Sequence, residues 1–305
     1  MSTRSPFSRL EVVERTGSTN TDLRRALTGP DGALDPAKAA AWPHLSVLRA
    51  LTQTAGRGRG DHAWTTPPTG ALTASIVVRP LVPAFRLAWL PLLAGLAVAR
   101  ALAPRLESVG WNVATKWPND VIALPAPSTT APVTVPGWGT SRKLAGILTE
   151  LVAPGVGGHA PDSGTAPTDR DEAAAVIVGI GVNLAQSASR LPVPWAASLA
   201  SLGVPAGAVS AGLLLEDCGR HLADLVTAWE SADGDPGADG GALGAQLRGA
   251  CATLGQAVRV AVPDGEITGV AVDLTPGLVV RVDDDAGFRR VVVTAGDVTA
   301  LRTAR

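Results

Sequence analysis

The sequence predicts an α+β protein: a mixed β-sheet flanked by helices, followed by a small β-barrel at the C-terminus. Three observations lead there. Short runs rich in Val, Ile, Leu and Thr, bounded by Gly or Pro, succeed one another through most of the chain, as strands do. A few intervening stretches carry apolar residues at helical spacing behind capping side chains. Near the C-terminus the pattern changes to five short β runs separated by turns, at the intervals of a small closed barrel.

Taken in order, residues 21–27 follow Ser18-Thr19-Asn20, a cluster of helix-capping side chains, with Asp22 in the first turn. Residues 46–51 and 71–78 read as strands. Residues 90–102 form a buried helix within an apolar run, 87–99, that is too short for the roughly 20 residues a bilayer needs. Residues 111–115, 142–151 and 173–182 are further strands. Residues 210–229 form a helix with Ser210 as its cap and Glu216 and Asp217 early. Two stretches, 125–140 and 153–171, are crowded with Pro, Ser, Thr and Gly and are expected to be solvent-exposed, mobile loops; 231–241 reads as a linker. The barrel runs are 257–260, 267–272, 277–282, 289–293 and 297–301. The expected division is a larger α+β domain of residues 1–245 and a barrel of residues 246–305.

Composition narrows the function. Of 305 residues, 46% are hydrophobic and 17% charged, with 26 Lys+Arg against 27 Asp+Glu and a formal net charge of -1. That is too apolar for disorder and too balanced for a polybasic nucleic-acid binder. Cys218 and Cys251 are too few for a disulfide framework or a thiolate metal site, and His44, His62, His159 and His221 form no spaced pair with Glu or Cys. No metal site is expected. No signal peptide is read at the N-terminus, and a cytoplasmic location, as a monomer or weak homodimer, is the expectation.

Chemistry concentrates in four places. Gln53-Thr54-Ala55-Gly56-Arg57-Gly58-Arg59-Gly60-Asp61-His62-Ala63-Trp64 puts three glycines and two arginines in one short loop between strands. Glycines let the backbone approach a ligand and aim N–H groups at an anion; guanidiniums add fixed charge and forked donors. It is neither a Walker loop nor a dinucleotide fingerprint. Lys116-Trp117-Pro118-Asn119-Asp120 sets a lysine at a strand end, placed to push a point charge into a cleft. Gly179-Ile180-Gly181-Val182-Asn183 ends an apolar strand with alternating glycines, and Thr16-Gly17-Ser18-Thr19-Asn20 gathers short polar side chains at a helix start. Each alone also fits a structural role: a basic surface loop, a surface lysine beside a packed Trp, glycines that relieve crowding, a helix cap.

Together, in this order and with Lys143-Leu144-Ala145-Gly146-Ile147-Leu148-x-Glu150 between them, they resemble the biotin protein ligases from about Gly17 to Arg302. The stretches Val270-Ala271-Val272-Asp273, Gly277-Leu278-Val279-Val280 and Ala295-Gly296-Asp297-Val298 look like that family's SH3-like C-terminal barrel. The resemblance implies a catalytic domain of the biotin/lipoate ligase type. It also implies a two-step reaction in which biotin and ATP with Mg2+ give biotinyl-5′-AMP, and the biotinyl group then passes to a lysine of a biotin carboxyl carrier protein of acyl-CoA carboxylases. By the family's pattern Ser18, Thr19, Asn20 and Gln53 hold the ureido end of biotin, with Arg57, Gly58, Arg59 and Lys116 completing the biotin set. Gly56, Arg59, Trp64, Asn119 and Asn183 contact the nucleotide, and Lys116, Arg57 and Arg59 are the catalytic cations.

The chain departs from the pattern at Asp61 and His62, where Gly and Arg are usual. The short stretch before Gly17 predicts a monofunctional ligase without a helix-turn-helix. The rival readings are a lipoate protein ligase, whose R-R-x-S-G-G-G-x-V loop is absent here, a nucleic-acid-binding module, and a biotin- or carrier-binding protein without catalysis. The neutral net charge and the scarcity of Phe and Tyr oppose nucleic acid. A non-catalytic binder would have no need of Lys116.

Overall fold

In the computed structural model, which describes residues 5–60, 62–65, 70–130, 132–155, 164–205, 207–262, 265–284, 287–294 and 296–300, the chain begins with β1 (Arg9–Thr16), α1 (Thr19–Leu27), α2 (Pro36–Ala41), β2 (Ser46–Gln53) and β3 (Ala71–Val78). It continues through α3 (Leu90–Glu107), β4 (Trp111–Lys116), β5 (Asp120–Pro125), β6 (Arg142–Val152), β7 (Ala175–Asn183), α4 (Ala211–Ser231) and α5 (Ala242–Ala250). Five strands end it: β8 (Ala257–Val262), β9 (Gly265–Leu274), β10 (Leu278–Asp284), β11 (Gly287–Val293) and β12 (Asp297–Ala300). The first seven strands form one sheet in the order β1-β2-β3-β7-β6-β5-β4. Only β1 and β2 run parallel, and α1 with α2 supplies the crossover that a parallel pair requires. The mixed sheet with helices is the architecture the sequence predicts.

Side chains alternate between the faces of a strand, and β7 shows what each face is for. Val176, Val178, Ile180 and Val182 pack into the large cluster around α3 and α4; Ala175 and Ile177 pack on the other face with Leu23, Leu27 and Trp42. On that second face the side chains shrink along the strand from Ile177 to Gly179 to Gly181. The neighbours shrink with them. On β3, Val77, Ser75 and Thr73 pair with those positions, and on β6 Leu148 opposes Gly179 while Gly146 opposes Gly181. One end of the face is filled by α1, and the other is left as a depression floored by glycine backbone.

Helix α3 runs beyond the predicted 90–102, across Pro104 to Glu107. A proline inside a helix costs about 3 kcal/mol, and here tertiary packing offsets it. Leu106 is fully buried, worth roughly 2 kcal/mol, and Arg105 Nη2 donates to Asp217 of α4 at 2.5 Å. The predicted linker 231–241 is instead a closed turn, in which buried Trp229 Nε1 donates to Gly234 O at 2.7 Å, and it leads into the unpredicted α5, across the expected division at 245/246. The C-terminal strands pair antiparallel in the order β11-β10-β9-β8-β12, and their inner residues, Val258, Val260, Ala271 and Val280 among them, join the main core.

The end of the 153–171 stretch is pinned rather than mobile. Arg170 donates through both Nη1 and Nη2 to Glu230 at 2.8 Å, and Arg79, 2% exposed, donates to Asp171 O and Ala173 O. Residues 156–163 lie outside the described set. His44 Nδ1 accepts from the Arg79 N–H at 3.0 Å. Burial, joined by Arg170 and Arg79 and opposed by Glu230, pushes the His44 imidazole down from 6.5 to about 4. The native state therefore holds His44 neutral where the unfolded chain would protonate it. This contribution is complete above pH 6.5 and is lost as pH falls toward 4, amounting to about 2–3 kcal/mol. His44→Asn, whose amide oxygen can replace Nδ1 as acceptor, is expected to flatten urea-unfolding stability between pH 6.5 and 4.5. A slope equal to that of the native chain would remove this account.

Candidate active site

A cavity of about 460 Å³ opens over the glycine floor. Its polar end is built by the start of α1. Ser18 caps the helix by accepting from Thr21 N; the next two residues turn their side chains inward, and all three are buried. Thr19 N donates to Gln53 Oε1 at 2.8 Å, Ser75 Oγ donates to Asn20 Oδ1 at 2.6 Å, and Asn20 Nδ2 donates to Glu150 Oε2 at 2.8 Å. A Cβ on Gly179 would stand 2.4 Å from Asn20 Oδ1, so the glycine is what lets this network sit on the sheet. The arrangement is a fixed array of neutral donors and acceptors with a carboxylate behind it.

The middle of the cavity is closed by the glycine-arginine loop, which is folded into a small hairpin. Trp64 N donates to Gly56 O at 2.9 Å and Gly58 N to His62 O at 2.7 Å. Gly56 is buried behind the wall, where a Cβ would stand 2.4 Å from Trp64 O. The Trp64 ring lies on the floor; a Cβ on Gly181 would be 2.4 Å from it and one on Gly146 3.2 Å. Asp61 lies outside the described residues.

The far end is cationic. Lys116 and Asp120 pair across the β4–β5 hairpin, with Trp117, Pro118 and Asn119 in its turn and a cis Trp117–Pro118 bond. Asn119 Nδ2 donates to Ile147 O at 2.7 Å, tying the hairpin to β6. Lys116 Nζ donates to Val298 O of β12 at 2.9 Å. Burial lowers the Lys116 pKa from its usual value; Asp120 opposes that shift and Lys143 adds to it. Lys143 Nζ pairs with Asp120 at 2.6 Å, and Arg59 donates to Gly296 O at 3.2 Å and faces Asp297 at 3.6 Å. His62 Nε2 also lies 3.6 Å from Asp297. Among the described residues no group of three or more His, Cys, Asp or Glu gathers to hold a metal.

Of the residues singled out in the sequence, Ser18, Thr19, Asn20, Gln53, Arg57, Gly58, Arg59, Trp64, Lys116, Asn119 and Asn183 line this one cavity; Gly56 stands behind them. The cations are not all together. Arg57 is half exposed and donates to Glu150 Oε1 at 2.9 Å, beside Asn20 at the neutral end, whereas Arg59 and Lys116 lie against β12. Asn183 is tied into its own loop. Its Nδ2 donates to Ala197 O and its Oδ1 accepts from Gln186, which fixes the segment that carries Trp195.

The sequence alone assigned no site role to Ser75, Trp138 and Trp195, nor to Lys143 and Asp297, although these two lie in recognised motifs. Trp138 corrects the reading of 125–140 as a solvent-exposed mobile loop. It lines the cavity, stacks on Trp195 with centroids 5.9 Å apart and 8° between planes, and has Lys116 Nζ 4.5 Å from its ring. The only hint in the sequence was a bulky indole stranded among turn-forming residues.

A pocket with a neutral polar end, a flat floor and a desolvated cationic end suits a ligand that is uncharged at one end and anionic at the other. Comparison with known proteins points the same way. Residues 13–160 match the family described as the Biotin/lipoate A/B protein ligase family. The biotin–[acetyl-CoA-carboxylase] ligase of Mycobacterium tuberculosis is 34% identical over 304 residues, spanning 98% of this chain and 91% of that protein. Among solved structures, the biotin protein ligase from Aquifex aeolicus in complex with biotin and ATP superimposes with a TM-score of 0.64 at 20% identity, covering 97% of this chain and 100% of that one. The biotin protein ligase from Leishmania major in complex with biotinyl-5-AMP gives 0.52 at 22%, covering 97% and 99%. These two share the fold.

Proposed function

The chain belongs to the biotin protein ligases of the biotin/lipoate A/B protein ligase family, and from that premise we propose that it joins biotin to ATP as biotinyl-5′-AMP and then to a lysine of a carboxyl carrier protein of an acyl-CoA carboxylase. The observation that carries this is the placement in one cavity of the Thr19–Asn20–Gln53 network, backed by buried Ser75, and the Arg59–Lys116–Lys143 cluster, on opposite sides of a glycine floor. The ureido ring of biotin is a neutral donor–acceptor group and fits the first. Leu148 and the Trp64 ring enclose the hydrocarbon tail, and Arg57, held by Glu150, covers the ureido end.

In the first step a carboxylate oxygen forms a bond to the α-phosphorus while the bond to the pyrophosphate oxygen breaks. Two anions must meet, so the barrier is largely electrostatic. Lys116 bridges the carboxylate and the α-phosphate, while Arg59 and Lys143 neutralise the charge around them. Magnesium bound to the nucleotide would supply shielding of the leaving phosphates; among the described residues no group of three or more carboxylate, His or Cys side chains gathers to hold it apart from the nucleotide. In the second step the target amine attacks the acyl carbon and AMP leaves, with Trp64 and the loop keeping water from the mixed anhydride.

Incubation with biotin, ATP and a carrier domain should add one biotinyl group to the carrier by mass; lipoate in place of biotin should add nothing. An unmodified carrier in the presence of biotin would refute the proposal. Arg59→Gly removes the loop's tie to Gly296 and Asp297, and is expected to raise free biotinyl-AMP release by about tenfold. Chromatography of the low-molecular-weight fraction measures it, and release equal to that of the native chain would show that Arg59 does not retain the intermediate.

A further inference from the structure

We propose that Trp138 is a positioning residue for Lys116: the 125–140 segment delivers an indole face that holds the ammonium at the cationic end without placing a carboxylate beside it. The proposal rests on the reading of Lys116 given above.

Three observations carry it. Lys116 Nζ lies 4.5 Å from the Trp138 ring, within the range where a cation is drawn to a ring face, and its one hydrogen bond among the described residues goes to the neutral Val298 carbonyl. Lys143, by contrast, is paired with Asp120 at 2.6 Å, and Arg59 faces Asp297. Trp138 is itself held. It stacks on Trp195, its turn is closed by the Val135–Gly139 pair, and Arg142 donates to the carbonyls of Gly139 and Ser141.

The physical logic follows from what must bind. A carboxylate salt-bridged to Lys116 would stabilise the ammonium but would also repel an incoming carboxylate and phosphate. The ring quadrupole attracts the cation at short range and adds no net charge. Other charges facing Lys116 are Asp120 and Asp297, which favour its ammonium form together with the Cys251 group, and Lys143, which disfavours it. Burial works against the charged form, so loss of the π face is felt directly in protonation.

The test reads the protonation of Lys116 in the free protein, independently of catalysis. The pH dependence of acetylation at Lys116, followed by peptide mass spectrometry, is compared in the native chain, Trp138→Leu and Trp138→Phe. Leucine keeps the apolar cover but removes the π face, so the titration midpoint is expected to fall by about one pH unit. Phenylalanine restores most of that shift. Trp138→Met serves in place of leucine if that variant does not fold. The alkaline limb of biotinyl-AMP formation should move with the midpoint. A midpoint that stays put, or that rises because the indole merely excluded water, overturns the proposal. A native chain that forms no biotinyl-AMP while the midpoint still shifts would overturn the assigned reaction and leave the role of Trp138 standing.

Discussion

Replacing Lys116 with alanine is expected to slow biotinyl-AMP formation by about a thousandfold, with biotin affinity changing less than tenfold. The asymmetry follows from where the charge counts. In the ground state the biotin carboxylate can still be met by Arg59 and Lys143, so binding falls modestly. In the transition state negative charge gathers between the carboxylate and the α-phosphate, in a partly buried site where a fixed cation is worth several kcal/mol. The burial that lowers the Lys116 pKa also leaves its field poorly screened. Single-turnover quench experiments give the rate and equilibrium titration gives the affinity. A rate within threefold of the native chain would remove Lys116 from the chemistry.

Gly179→Ala should act at the other end and through a single methyl group. The new Cβ would fall 2.4 Å from Asn20 Oδ1 and 3.0 Å from its Cγ. Asn20 cannot simply rotate away, because Ser75 and Glu150 hold its two amide atoms. The methyl group therefore breaks the network, leaves Glu150 and Ser75 short of partners, and destabilises the fold by roughly 1–3 kcal/mol. Biotin affinity should fall about a hundredfold, since a site built to hydrogen-bond a polar group loses most when its own groups are disordered. Calorimetric titration with biotin measures this. The clash also predicts non-additivity: in an Asn20→Ala background, Gly179→Ala should cost little more. Additive losses would mean that the glycine matters for another reason.

How far the sequence led depended on the range of the interactions. Ser18 to Asn20 and Lys116 at the end of its strand were legible because capping side chains and strand-end lysines act within a few residues of themselves, whereas β5, which completes the hairpin, was not read. The alternating glycines of β7 were visible too, but their purpose was not. It emerges only when Ser75, Thr73 and Gly146 are set opposite them by pairing. Trp138 and Trp195 are 57 positions apart, and each sits among turn-forming residues, so local composition reads the first as loop and assigns nothing to the second. Lys143 lay inside a recognised motif, yet its ion pair with Asp120 depends on the register between β5 and β6. The separation of Arg57 from Arg59, two residues away, likewise follows from the hairpin fold of their loop, which sends one toward Glu150 and the other toward β12. Helix α3 outran Pro104 because burial outweighs local propensity, a balance no short window contains.

The claim beneath all of this is that one cavity recognises an uncharged ureido ring at one end and neutralises two meeting anions at the other. Isotope exchange between pyrophosphate and ATP, run with biotin, with lipoate and with no acid, tests it most directly, since it needs no carrier protein. Exchange should depend on biotin, be negligible with lipoate, and vanish in Lys116→Ala. Exchange supported equally by lipoate, or persisting without Lys116, would contradict it.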